Sequence, residues 1–155
     1  MSYCYIHGIV PVCDGKKVQT QRPNTSPVWH AVYDTMFFTE SGREVQGLFR
    51  TFSPASASTL PSNILVEIHG KFSMPPNSDG TAPSEFLIEP LNHEAFTMDP
   101  TEEKCDAFLP SNTVPTIEFC GIVCGSIVQL NDGGKAVDVR VSNYMQSKVI
   151  DSIYR

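Results

Sequence analysis

Alternation of apolar and polar residues between positions 63 and 72 limits the folds open to this chain more than any other feature of its sequence. Ile64, Val66, Ile68 and Phe72 fall on one face of an extended strand, and Glu67 lies among the polar residues of the other face. Side chains alternate between the two faces of a strand with a period of two. The segment therefore predicts a strand that is buried on one side only.

Six further runs are rich in β-branched and aromatic residues, which favour strands. Most of the separators carry residues that tolerate a positive φ, at Asp14-Gly15, Ser41-Gly42 and the segments 77–80 and 131–134, and predict turns. Seven strand-like runs joined in this way predict an all-β barrel or sandwich. The six runs are Tyr3 to Val12, Val28 to Phe38, Val45 to Phe52, Glu85 to Leu91, Thr116 to Val128 and Ala136 to Val141.

Two segments interrupt the strand pattern. Residues 53–62 are rich in Ser, Ala and Pro, and we expect an exposed connection there. Residues 97–115 combine four acidic residues and three prolines with one lysine, which predicts an acidic linker. We therefore expect one main domain at 1–96, the linker at 97–115, and a smaller unit at 116–155.

The unit at 116–155 is too short to bury a core of its own. Its first part predicts a β-hairpin. Its end, from Ser142 to Arg155, has apolar residues at helical spacing, but Val149, Ile150 and Ile153 also suit a strand. We expect the unit to pack against the main domain or against a partner chain, either a second copy or another subunit.

Short motifs carry a resemblance to a known family. Val66-Glu-Ile-His-Gly-Lys-Phe72, followed by Phe86-Leu-Ile-Glu-Pro-Leu91, resembles the last two barrel strands of OB-fold proteins of the replication protein A middle-subunit type. The segment 119–123, together with 135–142, looks like the opening two strands of such a barrel, and Ile6-His-Gly-Ile-Val10 could play the same part. The resemblance implies a five-stranded Greek-key OB barrel that binds single-stranded nucleic acid.

Physical arguments agree with that architecture. Five runs between Tyr3 and Leu91 match the five strands of an OB barrel. Gly8, Gly47 and Gly70 lie inside strands, where strongly bent barrel strands need bulges or kinks. One departure is the absence of a recognisable helix between the third and fourth strands, where residues 53–62 stand instead. The predicted fold is an all-β, five-stranded OB-like barrel with a C-terminal hairpin and a short terminal helix or strand.

The charge balance restricts the ligand. Seventeen acidic and eleven basic residues give a net charge of −6, so any nucleic-acid site must be local. Proteins that bind single strands combine cations for the phosphates with aromatic rings on which the bases stack. We predict eight such residues, although either face of the second strand could be the buried one. The phosphate-binding candidates are Lys16, Lys17, Arg22, Arg50 and Lys71, and the stacking candidates are Trp29, Tyr33 and Phe49.

Other chemistry is not indicated. Cys120 and Cys124 are the only close cysteine pair, and the four histidines are scattered, so we expect no metal site. No nucleophile motif, phosphate-binding loop or dinucleotide fingerprint occurs, so we expect neither an enzyme nor a cofactor. Two non-enzymatic alternatives stay open, a carbohydrate-binding barrel and an assembly module that contacts other proteins.

The compartment follows from the cysteines and the hydropathy. Five cysteines, an odd number, and the lack of an apolar leader at the start predict reduced thiols. No apolar run is long enough to span a bilayer. We therefore expect a nuclear or cytoplasmic protein that does not contact membranes.

Overall fold

The computed structural model of this chain describes residues 2–21, 23–39, 42–75, 85–96, 114–146 and 148–154. These residues form strands, turns and loops and contain no helix. The predicted linker at 97–115 lies almost entirely outside them. Nine strands are present in the described residues: β1 (Tyr3–Thr20), β2 (Val28–Phe38), β3 (Glu44–Phe52), β4 (Ile64–Ser73), β5 (Glu85–Ala95), β6 (Thr116–Cys120), β7 (Ile122–Gln129), β8 (Lys135–Met145) and β9 (Lys148–Tyr154).

The first five strands close into a ring. The order around the ring is β1-β2-β3-β5-β4, and β4 pairs back to β1. Strands β3 and β5 are parallel, and the other neighbours in the ring are antiparallel. Strand β1 can pair with two partners because it is long, with its first half against β4 and its second half against β2. The predicted five-stranded OB-type barrel is confirmed by this order.

The predicted turn at Asp14-Gly15 is wrong, because strand β1 continues through it to Thr20. Asp14 has a φ of 51°, and the register between β1 and β2 shifts between Cys13 and Lys16. This is a β-bulge, which needs the same left-handed residue that a tight turn needs. The local sequence therefore looks alike in both cases, and the bulge bends β1 between its two partners.

The inward face of each barrel strand carries the core. The face predicted for β4 is confirmed, since Val66, Ile68 and Phe72 are buried and Ile64 packs against the core. Gly47 leaves room for the Phe86 ring, because a Cβ there would clash with that ring. The buried core consists of Cys4, Ile6, Val10, Val12, Ala31, Tyr33, Phe49, Val66, Ile68, Phe72, Phe86, Ile88 and Val141.

A loop connects β3 and β4, at the place where the sequence contains no recognisable helix. Residues 53–63 are mostly exposed, as predicted for this connection, but Leu60 packs against the core. The backbone N–H of Leu60 donates a 2.8 Å hydrogen bond to the hydroxyl oxygen of Tyr33. One apolar side chain and one hydrogen bond thus hold the loop against the barrel.

The described residues of the C-terminal unit form four strands joined by turns and short connections, and no helix. Strand β6 pairs with the first part of β1, and β7, β8 and β9 form a separate antiparallel sheet. The segment from Ser142, for which the sequence allows either a helix or a strand, contains the end of β8 and strand β9. Its Ile150 and Ser152 are buried while Val149 and Ile153 are exposed, which is the alternation of a strand.

The β7–β9 sheet packs on the barrel through one of its faces. Asn143 lies at the centre of this contact, and its amide exchanges hydrogen bonds of 3.2 and 3.1 Å with the backbone of Cys4. The same amide donates a 2.8 Å bond to the carbonyl of Phe72. The hydroxyls of Ser73 and Ser152 are 2.7 Å apart. Since Val141 joins the barrel core, barrel and sheet share one interior.

Candidate functional site

The outward face of β2 and β3 is divided by charge. In β2 the residues Ala31, Tyr33 and Thr35 are buried, so the alternate residues face outward. The pairing sets these outward residues in rows across the two strands: His30 with Phe52, Val32 with Arg50, Asp34 with Leu48, Met36 with Gln46 and Phe38 with Glu44. One end of the face is therefore basic and aromatic, and the other end is acidic.

Strand β1 extends two of these rows at the basic end. Lys16 pairs with Val32, so that Lys16 and Arg50 flank Val32 in one row. Val18 pairs with His30, so that Val18 and Phe52 flank His30 in the next row. A row with two cations therefore runs beside a row of apolar and aromatic side chains.

A groove of about 280 Å³ opens at this end. Phe52 is 65% exposed and Tyr144 is 57% exposed, so both rings present accessible faces. Arg50 and Lys71 supply two cations to the groove. Tyr144 comes from β8, so the C-terminal sheet completes the groove that the barrel begins. The full lining is His30, Arg50, Phe52, Lys71, Glu89, Pro90, Tyr144 and Gln146.

The guanidinium of Arg50 is held by three groups. Nη2 donates to Thr20 Oγ1 at 3.1 Å and lies 3.3 Å from His30 Nδ1. Nη1 is 3.6 Å from Glu89 Oε1, in an ion pair that is largely shielded from solvent. Glu89 Oε1 also accepts a 2.8 Å hydrogen bond from the backbone N–H of Gln146. The guanidinium of Arg50 is therefore held in place before any ligand binds. The negative charge of Glu89 partly neutralises its positive charge.

His30 is the acceptor for Arg50. An arginine has no acceptor atom, so the contact with Nδ1 requires that this nitrogen carry no proton. Burial, and then the charge of Arg50, lower the pKa of His30 from 6.5, while Glu89 and the Val28 backbone oppose the change. The geometry and the direction of the pKa shift both indicate a neutral imidazole.

Lys71 and Tyr144 form the other wall of the groove. The ammonium of Lys71 donates a 2.8 Å hydrogen bond to the carbonyl oxygen of Tyr144. It also lies 5.9 Å from the centroid of the Tyr144 ring, within the range of a cation–π contact. A cation beside an exposed ring can contact a phosphate and a base of the same ligand.

The acidic end of the face carries a separate cavity of about 430 Å³. Asp34, Glu44 and Glu85 line it together with apolar residues that include Met36 and Leu48. Its carboxylates would repel phosphate groups. An anionic ligand on this side of the barrel is thus confined to the basic end.

The other side of the barrel carries a row of rings. Tyr3, Tyr5, His69 and His7 follow one another with centroids 5.5, 5.9 and 6.1 Å apart. A pocket of about 340 Å³ lies beside them and includes Glu118. In the part of the chain that the structure describes, no three potential ligand residues come together to hold a metal ion. Lys71 pairs with Tyr5 at one end of this row, but its ammonium donates its hydrogen bond to the carbonyl oxygen of Tyr144 in the groove.

The predicted cations reach three different places. Arg50 and Lys71 line the groove, and exposed Lys16 lies on the same outer face. The ammonium of Lys17 instead donates to the carbonyls of Pro54 and Ala55, and so anchors the loop after β3. Arg22 lies outside the described residues.

The predicted stacking residues need correction. Tyr33 and Phe49 are core residues, with ring centroids 5.8 Å apart inside the barrel, because the inward face of β2 and β3 contains them. Neither ring can reach a base on the surface, so we assign both to the core. Trp29 is half-buried at the start of β2 and does not line the groove.

The eight predicted residues include neither of the two exposed rings that line the groove, Phe52 and Tyr144. Phe52 shares the strand parity of Arg50, and a charged residue normally faces outward, so this alternation could have identified it. Tyr144 has no such signal, because it lies 73 residues from its partner Lys71.

The similarities found for this chain are to solved structures rather than to sequences. No family model and no curated protein matches the chain. The wild-type single-stranded DNA binding protein from Thermus aquaticus is similar in structure, with a TM-score of 0.49 and 11% identity over 98% of this chain and 71% of that chain. A mutant of the same protein gives a TM-score of 0.48 and 11% identity over 98% and 74%.

These two similarities do not assign a function to this chain, because both TM-scores are below 0.5. Both structures belong to a bacterial protein. They give no support to the resemblance to replication protein A middle subunits that the sequence motifs suggest. The OB-type assignment rests on strand order and pairing. Among the described residues, no helix is long and apolar enough to cross a membrane.

Proposed function

We propose that this chain is a non-enzymatic OB-type module that binds single-stranded nucleic acid at the basic end of its β2–β3 face. The observation that carries the proposal is the composition of the groove, with Arg50 and Lys71 beside the exposed rings of Phe52 and Tyr144. OB barrels bind oligonucleotides on the face of their second and third strands.

The rows of side chains suggest how a strand would lie. Phosphates would follow the row that contains Lys16 and Arg50 and then reach Lys71, while bases would stack on Phe52 and Tyr144. The half-buried Trp29 stays a proposed stacking residue at the start of β2. The carboxylates at the other end of the face would limit the length of nucleic acid that can bind there.

A single strand suits this site better than a duplex. Stacking on a protein ring requires a base whose face is free, and duplex bases already stack on one another. The site is also local, as a net charge of −6 demands. We further propose that the module works in an assembly through residues 116–155.

Fluorescence anisotropy of labelled single-stranded DNA, single-stranded RNA and duplex DNA, at low and moderate salt, tests the proposal. We expect single strands to bind at low salt and to dissociate as salt rises. A failure of all single strands to bind at low salt would overturn the proposal. Binding of an oligosaccharide with little salt dependence would favour a carbohydrate-binding barrel instead.

A matched pair of variants tests the position of the site. Phe52→Ala removes a ring that is 65% exposed at the basic end, and Phe38→Ala removes one that is 53% exposed at the acidic end of the same face. We expect Phe52→Ala to weaken binding by about tenfold, as the loss of one stacked base requires, and Phe38→Ala to leave it unchanged. Equal effects of the two variants would contradict this location.

A further inference from the structure

The β7–β9 sheet has a second apolar face, which the barrel does not cover. The residues buried against the barrel are Val141, Asn143, Met145, Ile150 and Ser152, all on one side of the sheet. An antiparallel sheet commonly leaves one face in solvent, and the residues of that face are then polar. The uncovered side, which we call the outer face, includes the exposed residues Ile122, Val128, Arg140, Val149, Asp151 and Ile153.

The apolar residues of the outer face are unusually exposed. Ile122, Val149 and Ile153 each leave more than half of their surface open to solvent. Arg140 lies between Ile122 and Ile153, opposite both in the pairing of the three strands. Apolar side chains clustered in this way on a regular sheet mark an interaction surface.

The outer face carries one cation, Arg140, between two carboxylates, since Asp138 lies one row away on one side and Asp151 one row away on the other. Asp151 lies one row from Arg140, because Asp151 pairs with Ser142 and Arg140 pairs with Ile153. Arg140 has no ion-pair partner among the residues that the structure describes. Consider a twofold axis that lies parallel to the face, above the midpoint between Arg140 and Asp151 and perpendicular to the line that joins them. Rotation about this axis would place each Arg140 over the other copy's Asp151. A twofold interface requires this kind of self-matching surface.

We infer that the outer face of the β7–β9 sheet binds the same face of a second copy of this chain, in a twofold dimer. At ordinary strand spacing the three strands span about 15 by 25 Å. Two such faces together bury roughly 750 Å², less than a standard interface, so we expect a weak, concentration-dependent dimer. Tyr144 pairs with Val149 and so lies on this face as well as in the groove; the dimer is therefore tested without nucleic acid, independently of the proposed function.

Sedimentation velocity of the full chain, without nucleic acid and over a wide range of protein concentration, measures the association. We expect the mass to rise from monomer to dimer with concentration. Arg140→Asp and Asp151→Arg should each raise the dimer dissociation constant by about tenfold, because like charges then face each other. The double variant should restore association. A monomer at every concentration, or a double variant as weak as the single ones, would overturn the inference.

A matched apolar pair tests the face itself. Ile153→Lys places a charge on the outer face at a residue that is 56% exposed. Ile127→Lys changes a residue that is 67% exposed but lies in the irregular stretch of β7 between Cys124 and Val128. We expect Ile153→Lys to abolish the dimer and Ile127→Lys to preserve it. The opposite result would place the contact at the irregular stretch of β7 and overturn the assignment to the outer face.

Discussion

The carboxylate of Glu89 lies 3.6 Å from the guanidinium of Arg50, and the two residues belong to adjacent parallel strands of the barrel. Glu89 therefore holds in place the cation that we propose for a phosphate, and also competes with that phosphate for it. The backbone N–H of Gln146 binds the same carboxylate oxygen at 2.8 Å, so the C-terminal sheet contributes to this arrangement.

Glu89→Gln should strengthen the binding of single-stranded nucleic acid. The amide keeps an oxygen for the N–H of Gln146 but removes the negative charge beside Arg50. We expect a dissociation constant about threefold to tenfold lower at low salt, measured by anisotropy, because a like charge no longer faces the phosphate. Glu94→Gln, on the same strand but outside the groove lining, is the control. Weaker binding by Glu89→Gln would show that positioning of Arg50 matters more than its charge.

Lys71→Gln should reduce the salt dependence of binding. Each phosphate contact to a single strand contributes about 0.7 to the slope of log K against log salt. We expect the slope of the variant to be smaller in magnitude by about this amount. Lys135→Gln removes an exposed cation at the start of β8, outside the groove lining, and should leave the slope unchanged. An unchanged slope in Lys71→Gln would remove that residue from the phosphate path.

Stability should fall as pH decreases below the ordinary histidine pKa of 6.5. Burial lowers the pKa of His93, and burial followed by the charge of Arg50 lowers that of His30. The unfolded chain therefore takes up protons first, and the folded state loses stability as pH falls through this range.

Urea unfolding at about pH 7.5 and about pH 5.5, on either side of the ordinary histidine pKa, measures this loss. We expect the midpoint to be lower at the acidic pH, and the difference to be smaller in His93→Gln. His7→Gln, at an exposed position, is the control. A wild-type midpoint that does not fall would contradict the prediction.

Asn143→Ala should destabilise the fold strongly. The substitution leaves three backbone groups at Cys4 and Phe72 without a partner in a buried contact. An unsatisfied buried polar group costs about 1 to 3 kcal/mol, so we expect the free energy of unfolding to fall by about 3 kcal/mol. Ser142→Ala, at a neighbouring partly exposed residue, should cost less than about 1 kcal/mol. Equal costs in urea unfolding would show that Asn143 is not the centre of the contact.

Local sequence was sufficient to predict the barrel. The alternation in β4 specifies both the strand and its buried face within ten residues, because each side chain's direction depends only on its position along the strand. The count of five strand-like runs up to Leu91 then limited the closed architectures. Arg50 and Lys71 were found in the same way, since charged residues of a strand face away from the core.

The tertiary structure determines the side-chain positions that the local sequence pattern leaves open. Both faces of β2 are apolar, so only packing against the rest of the barrel could place Tyr33 inside and His30 outside. The bulge at Asp14 and a tight turn use the same residue types, and the pairing of β1 with two partners made it a bulge. Tyr144 reaches Lys71 only because Asn143 holds the C-terminal sheet on the barrel, a contact across 71 residues that no periodicity within one strand encodes.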